Sequence, residues 1–189
     1  MEQNIFTASA AISACRRGCE WQTALGILAT MAASQVELDT IALSTAVSAC
    51  EKGGAWAQAL GLFAEVAASH VELDTIAYSA AVSSCEKGGE WVQALGLLVD
   101  MAASHLEMDT ILCSSAVSAC EKGGVWVQAL VLLAEMAIAR LELNTITYSA
   151  AVSACEKSGE WAQALGLLGE MAASQVALDT SCYNAAISA

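Results

Sequence analysis

The chain has 189 residues, the size of one ordinary domain, and its 20 acidic residues against 7 basic ones give a formal net charge of −13. This charge excludes the usual basic class of nucleic-acid-binding domain, and an apolar content of 57% excludes disorder caused by too little burial. The longest uncharged stretch, residues 21–36, falls short of the roughly 18 apolar residues of a membrane-spanning helix, and the first residues contain no recognisable targeting segment, so we expect no membrane contact.

The chain is built from repeated segments of 35 residues. Its five tryptophans are spaced by that number, and so are five of its cysteines and four of its lysines. A constant period without insertions predicts a supersecondary unit that stacks on copies of itself. We number positions 1 to 35 in each unit, starting after the recurring Asp or Asn. A single repeat array over residues 1–189 then contains units 5–39, 40–74, 75–109, 110–144 and 145–179 and a partial unit 180–189.

Each unit has the pattern of two helices. In the second unit, helix A is predicted over residues 40–52, between an N-cap at Asp39 and the pair Gly53-Gly54, where a glycine can adopt the left-handed conformation that ends a helix. Helix B is predicted over residues 55–69, because its apolar residues recur at intervals of three and four. Stacked helix pairs of this kind predict an all-α solenoid of ten helices and a fragment.

The sulfur-containing and titratable residues lack a catalytic pattern. Position 11 cysteines in successive layers are expected about 10 Å apart, whereas a disulfide needs Cα atoms within about 7 Å, so these thiols are predicted to be free and buried. The cysteines and histidines also lack the spacing of a zinc site. His70 and His105 occupy equivalent positions without a Ser-His or Cys-His constellation or a phosphate-binding glycine loop. We therefore expect no enzyme, no metal, no cofactor and no small-molecule substrate.

The repeat sequence resembles the pentatricopeptide repeat family over essentially the whole chain. The third unit illustrates this: it has Tyr78 at position 4, Ser79 at 5, Lys87 at 13, Gly89 at 15 and Asp109 at 35, with an Ala-Leu pair in helix B. The resemblance implies a right-handed α-solenoid of stacked helix-turn-helix repeats, about five in number. It also implies binding of single-stranded RNA at roughly one base per repeat, in RNA processing or stability in a mitochondrion or plastid.

The resemblance assigns roles to four positions of each unit. Positions 5 and 35 contact the base edge, position 2 packs on the base, and the cation at position 13 meets phosphate. The implied base-reading residues are Ser9, Asp39, Ser44, Asp74, Ser79, Asp109, Ser114, Asn144, Ser149 and Asp179. The base-packing residues are Phe6, Ile41, Ile76, Ile111 and Ile146, and the phosphate-contacting residues are Arg17, Lys52, Lys87, Lys122 and Lys157. Small hydroxyl residues at position 5 imply a purine-rich target.

Helical geometry agrees in part with this assignment. Positions 2, 5, 9 and 12 share one face of helix A, so in a stacked array Ile41, Ser44 and Ser48 belong to a stripe that lines a groove. Six of the seven cations lie at position 12 or 13, and Arg140 is the exception. A row of cations is suited to a phosphate backbone.

Charge also favours an alternative function. Four units place a glutamate at position 12, directly before the lysine, where its carboxylate would repel phosphate within a Debye length of roughly 8 Å. The lysine at position 13 also has a purely structural explanation in the helix dipole, and Asp at position 35 has one as an N-cap. The alternative is a protein–protein interaction scaffold whose acidic surface meets a basic partner.

Overall fold

The computed structural model describes residues 5–33, 40–68, 73–177 and 179–188. Every regular element in these ranges is an α-helix. The helices are α1 (Ile5–Gly18), α2 (Trp21–Ala33), α3 (Thr40–Lys52), α4 (Trp56–Ala68), α5 (Thr75–Gly88), α6 (Trp91–Ala103), α7 (Thr110–Lys122), α8 (Trp126–Ile138), α9 (Thr145–Ser158), α10 (Trp161–Ala173) and α11 (Thr180–Ser188). Odd-numbered helices are the predicted helices A, and even-numbered ones are the predicted helices B. The predicted all-α array of stacked helix-turn-helix repeats is confirmed.

The turn between helix A and helix B depends on a glycine. Gly54, Gly89, Gly124 and Gly159, all at position 15, have φ between +68° and +76°. This left-handed conformation carries no penalty for glycine because glycine lacks a Cβ atom. In the first unit Cys19 occupies the same position with a φ of 58°. The predicted glycine stop is therefore found at the second glycine of each pair.

The tryptophan that begins a helix B packs on the end of the next helix A in the first three repeats. A Cβ atom placed on Gly88 would lie 2.8 Å from Trp56, one placed on Gly53 would lie 2.5 Å from Trp21, and one placed on Gly123 would lie within van der Waals overlap of Trp91. Contacts this close leave no room for a side chain, so position 14 must be small wherever the indole contacts it.

The chain forms two compact units by its internal contacts. The first comprises Met1–Gly88 with Val99–Glu107, and the second comprises Gly89–Leu98 with Met108–Ala189. Within the first unit α3 packs between α1 and α5, and within the second α9 packs between α7 and α11. Each unit has an apolar core that includes fully buried side chains, among them Ile12, Met31 and Val47 in the first and Leu112, Met136 and Val152 in the second.

Candidate nucleic-acid interface

The acidic or amide residue at position 35 caps the helix that follows it. Asp74, Asp109, Asn144 and Asp179 each accept a hydrogen bond at Oδ1 from the backbone N–H three residues later, over 2.8 to 3.0 Å. This bond satisfies one of the free N–H groups at the helix N-terminus. It also fixes the side chain, because Oδ1 is held at the N-terminus of the helix. Asp39 lies outside the described residues, so its role stays a prediction.

The serine at position 5 is bonded within the stack of helices A. The Ser44 hydroxyl lies 2.8 Å from Asp74 Oδ1 and 2.6 Å from the Thr40 carbonyl, and Ser44 is only 3% exposed. Ser48 is buried too, so Ile41 is the one member of its predicted stripe that is open to solvent. The structure thus brings Ser44 and Asp74 into a direct hydrogen bond.

The fourth repeat replaces this direct bond by a chain of three side chains. Ser114 Oγ lies 2.7 Å from Thr147 Oγ1, and Thr147 donates to Asn144 Oδ1 over 3.0 Å from its hydroxyl and over 3.0 Å from its backbone N–H. With two donors on Oδ1, the Asn144 amide presents its Nδ2 donor outward. The family resemblance assigns no role to Thr147. The sequence does distinguish it, because it places a hydroxyl at position 3, where the second and third repeats have alanine.

The isoleucines at position 2 are exposed on the helix A of each repeat. Ile41, Ile76, Ile111 and Ile146 are between 56% and 73% exposed. A β-branched side chain left in water contributes nothing to the core, and a flat apolar ligand would cover it favourably. Base packing by these residues stays a prediction, and the Phe6 side chain lies outside what the structure describes.

In the second compact unit, positions 2, 5 and 35 line one shallow concavity of about 390 Å³. Ile146, Ser149 and Asp179, from positions 2, 5 and 35 of the fifth repeat, all border it. Ser149 is partly exposed here, and its Oγ lies 2.8 Å from Cys182 Sγ. Ser118 and Ser153, at position 9, and Glu121, at position 12, complete the polar rim. The concavity therefore combines an apolar wall with hydroxyl and carboxylate groups.

The lysines at position 13 form ion pairs with the preceding layer. Lys87 Nζ lies 2.7 Å from Glu51 Oε1 and donates to the Glu51 carbonyl over 2.5 Å. Lys157 makes the same two contacts with Glu121, at 2.9 and 3.2 Å. The glutamate at position 12 that was expected to repel phosphate instead neutralises the lysine of the next repeat. These two lysines are accordingly bound to protein in the structure.

The first repeat departs from that arrangement. It has Arg16 at position 12, where the next four repeats have glutamate, and Arg17 at position 13. Arg16 Nε is enclosed and has no hydrogen-bond partner within the described residues, and the same holds for Ser9 Oγ. The resemblance assigns phosphate contact to position 13 alone and therefore misses Arg16, although alignment of the repeats reveals the exchange.

The thiols are free and mostly buried. Cys50, Cys85, Cys120 and Cys155 at position 11 are buried, while Cys19 is exposed. Burial raises the pKa of the Cys113 and Cys120 thiols to about 11, with the charges of Asp109 and Glu135 adding to the effect at Cys113. Among the described residues, no cluster of three potential metal ligands occurs. The described helices are also too short or too polar to cross a membrane.

Comparison with known proteins identifies the repeat type. A family model described as PPR repeat matches residues 146–176. A comparison with curated protein sequences gives no match. Among solved structures, the pentatricopeptide repeat protein PPR10 from maize is similar with a TM-score of 0.70 and 23% identity, and the alignment covers 99% of this chain and 27% of PPR10. The chain thus spans about a quarter of PPR10.

Two further structures have the same fold. PPR10 in complex with an 18-nt psaJ RNA element has a TM-score of 0.73 at 23% identity, over 95% of this chain and 26% of that one. The PPR domain of Arabidopsis thaliana protein-only RNase P 1 in complex with tRNA has a TM-score of 0.80 at 11% identity, over 93% of this chain and 92% of that one. Residues 146–176 match the PPR model, and the other units have a similar sequence in the same 35-residue register.

Proposed function

We propose that the repeats act as one array that binds single-stranded RNA along the face formed by positions 2, 5 and 35, at about one base per repeat, in organellar RNA processing or stability. The observation that carries the proposal is the concavity in which Ile146, Ser149 and Asp179 meet. An apolar wall beside fixed hydrogen-bonding groups suits a nucleobase, which has an apolar face and a polar edge. The solved complexes of PPR10 with an RNA element and of a PPR domain with tRNA support it.

The caps suggest how bases would be distinguished. Oδ1 of each position 35 side chain is occupied by the helix N-terminus, so the base meets the other terminal atom. That atom is an oxygen acceptor in Asp109 and an N–H donor in Asn144. The aspartate repeats would select a base edge that donates, as guanine does, and the asparagine repeat would select an edge that accepts, as adenine does. The proposed target is accordingly purine-rich.

A direct experiment is to titrate labelled single-stranded oligomers, one purine-rich and one pyrimidine-rich, at two salt concentrations. We expect preference for the purine-rich oligomer and weaker binding at high salt. The variant Ile146→Ala should lower the affinity for both oligomers by roughly 5- to 30-fold, if one base–side-chain packing contact contributes about 1–2 kcal/mol. The matched control is Ile138→Ala, since Ile138 is 83% exposed on helix α8 and lies outside the proposed site.

The ion pairs support a second candidate function, a scaffold for protein–protein interaction with an acidic surface. With Lys87 and Lys157 neutralised by glutamates, the acidic excess of the chain favours a basic partner. Absence of RNA binding at low salt, together with binding of a basic peptide such as oligolysine, would favour the scaffold and overturn the RNA proposal.

A further inference from the structure

The lysine at position 13 has a regular partner in later repeats. Lys87 and Lys157 each contact both the carboxylate and the backbone carbonyl of the glutamate at position 12 of the preceding repeat. The carbonyl belongs to the C-terminal turn of a helix, which favours a cation. Both lysines are thus held by two acceptors, and a phosphate would have to displace a carboxylate to reach them.

In the first repeat, position 12 carries a positive charge instead of the negative charge that it has in the next four repeats. Lys52 is at position 13 of the second repeat, as Lys87 is in the third. Lys87 pairs with Glu51 at position 12 of the preceding repeat, and the equivalent neighbour of Lys52 is Arg16. Arg16, Arg17 and Lys52 form no ion pair within the described part of the chain, and Arg16 Nε is enclosed without a hydrogen-bond partner. Glu51, the acid next to Lys52, is bound to Lys87. Three cations therefore lie on adjoining helix ends without an ion-pair partner among the residues that the structure describes.

The chemistry of these three side chains points to one class of ligand. Two guanidinium groups can each present a pair of parallel N–H donors, which match two oxygens of a phosphate, and a lysine adds a point charge. The carbonyl ends of α1 and α3 stabilise single cations, but they do not remove the repulsion between three of them. A bound phosphate would relieve that repulsion and satisfy the Arg16 Nε–H.

Building on the RNA-binding function above, we propose that Arg16, Arg17 and Lys52 form a phosphate-binding site for the backbone of single-stranded RNA. This site supplies the main electrostatic contribution to binding, while Lys87 and Lys157 hold successive layers together. The proposal differs from an even row of phosphate contacts at position 13, because it confines the contact to the layer in which arginine replaces glutamate and adds Arg16 to it.

The decisive variant is Arg16→Glu, which gives the first repeat the charge pattern of the others. The new carboxylate should pair with Lys52, so the affinity for a purine-rich oligomer should fall at least 10-fold while the melting temperature rises. Arg140→Glu is the matched control: it changes the net charge equally, and Arg140 is exposed outside the cluster, so affinity should change less than 3-fold. Equal losses in both variants, or unchanged binding in Arg16→Glu, would overturn the proposal.

The converse variant creates a second site. Glu121→Arg should release Lys157 from its ion pair. It would place an arginine beside Lys157 in the second compact unit, as Arg16 is placed beside Lys52 in the first. We expect RNA affinity to increase at least 3-fold and the dependence of affinity on salt to steepen. An unchanged affinity would argue that unpaired cations at these positions do not bind phosphate.

A phosphate compound that lacks a nucleobase tests the phosphate-binding site independently of the proposed RNA-binding function. Inorganic tripolyphosphate, titrated into ¹⁵N-labelled protein, should shift the Arg16 and Arg17 Nε–H resonances in the wild type but leave the remaining arginine of the cluster unshifted in Arg16→Glu. If RNA does not bind but these shifts are seen, the anion site stands and the proposed function fails. If RNA binds and tripolyphosphate leaves both resonances unchanged, the site fails and the function stands.

Discussion

At the scale of single residues, the position 35 side chain has two tasks that do not compete. Its Oδ1 caps the next helix in all four described cases, and in the proposed recognition its second terminal atom meets the base. Asparagine and aspartate cap helices about equally well. Exchange between them should therefore alter recognition with little change in folding.

The variant Asn144→Asp tests this separation. Replacing the outward N–H donor by an oxygen should reverse the preference between adenine and guanine at one base of the bound oligomer, by roughly 1–3 kcal/mol. The melting temperature should stay close to that of the wild type. Binding to a set of oligomers that differ at one base would measure the change. Asp109→Asn is the reciprocal control and should shift preference the opposite way, at a different base; a uniform loss of affinity in both would contradict the assignment.

Two buried thiols predict a dependence of stability on pH. The pKa of Cys113 and Cys120 is raised to about 11, whereas an unfolded cysteine titrates near pH 8.5. Between these values the unfolded chain loses thiol protons that the folded chain keeps, so the free energy of unfolding should fall as the pH rises from about 9 to 11. Urea unfolding under reducing conditions at pH 7.5, 9 and 10.5 would measure this fall.

The control for that measurement is the double variant Cys113→Ala, Cys120→Ala. It removes both thiols, so its free energy of unfolding should decline less between pH 9 and 10.5 than that of the wild type. An identical decline in both proteins would mean that lysines and tyrosines account for the whole effect.

At the scale of elements, the contact between a helix B and the next helix A depends on the absence of a side chain. Trp56 lies so close to Gly88 that a methyl group there would overlap the indole. The fifth repeat has Ser158 at the same position, and its hydroxyl donates to the Ala154 carbonyl and lies 3.4 Å from the Gly124 carbonyl. Position 14 therefore tolerates a small polar residue in one layer, through local hydrogen bonds.

The variant Gly88→Ala should destabilise the protein by about 1–3 kcal/mol, because the added methyl group overpacks the contact with Trp56. Gly61→Ala is the matched control in helix α4. A Cβ atom at Gly61 would have no atom within 4 Å, so alanine should stabilise the helix by roughly 0.5–1 kcal/mol. Chemical denaturation of both variants gives the comparison, and equal effects of the two changes would refute the packing explanation.

At the scale of the whole molecule, a large acidic excess coexists with a basic cluster that forms no ion pair among the described residues. A net charge of −13 repels RNA at a distance, while Arg16, Arg17 and Lys52 attract phosphate locally. Salt weakens the attraction and also screens the repulsion, so binding should depend on salt less than it does for a basic nucleic-acid-binding protein.

A salt titration measures how strongly the affinity for RNA depends on salt concentration. Three phosphate contacts on a single strand predict a slope of log K against log salt of about −2, and screening of the repulsion should make it shallower. Binding of the purine-rich oligomer between 50 and 300 mM salt would measure the slope. A slope of about −4 or steeper would show that the position 13 lysines also exchange their glutamates for phosphate.

The amino-acid sequence alone determined the period, the class of fold and the limits of helix A in the second repeat, whereas helix B of that repeat, predicted over residues 55–69, is found at Trp56–Ala68. Helix α3 begins and ends as predicted, at Thr40 and Lys52, because the N-cap and the glycine stop are local signals. The exposure of the isoleucines at position 2 also follows from helical periodicity. The resemblance likewise implied that Ser44 and Asp74 act as a pair.

The tertiary structure decided which polar groups have partners. Whether Lys87 faces solvent or Glu51 depends on how closely one layer packs on the next, and residues 36 apart in sequence carry no local signal of it. The same packing buries Ser44 and links Ser114 to Asn144 through Thr147, while Arg16 Nε has no hydrogen-bond partner within the described ranges. Helix propensity and periodicity act within one repeat, whereas hydrogen bonds and ion pairs between repeats form only once the repeats are stacked.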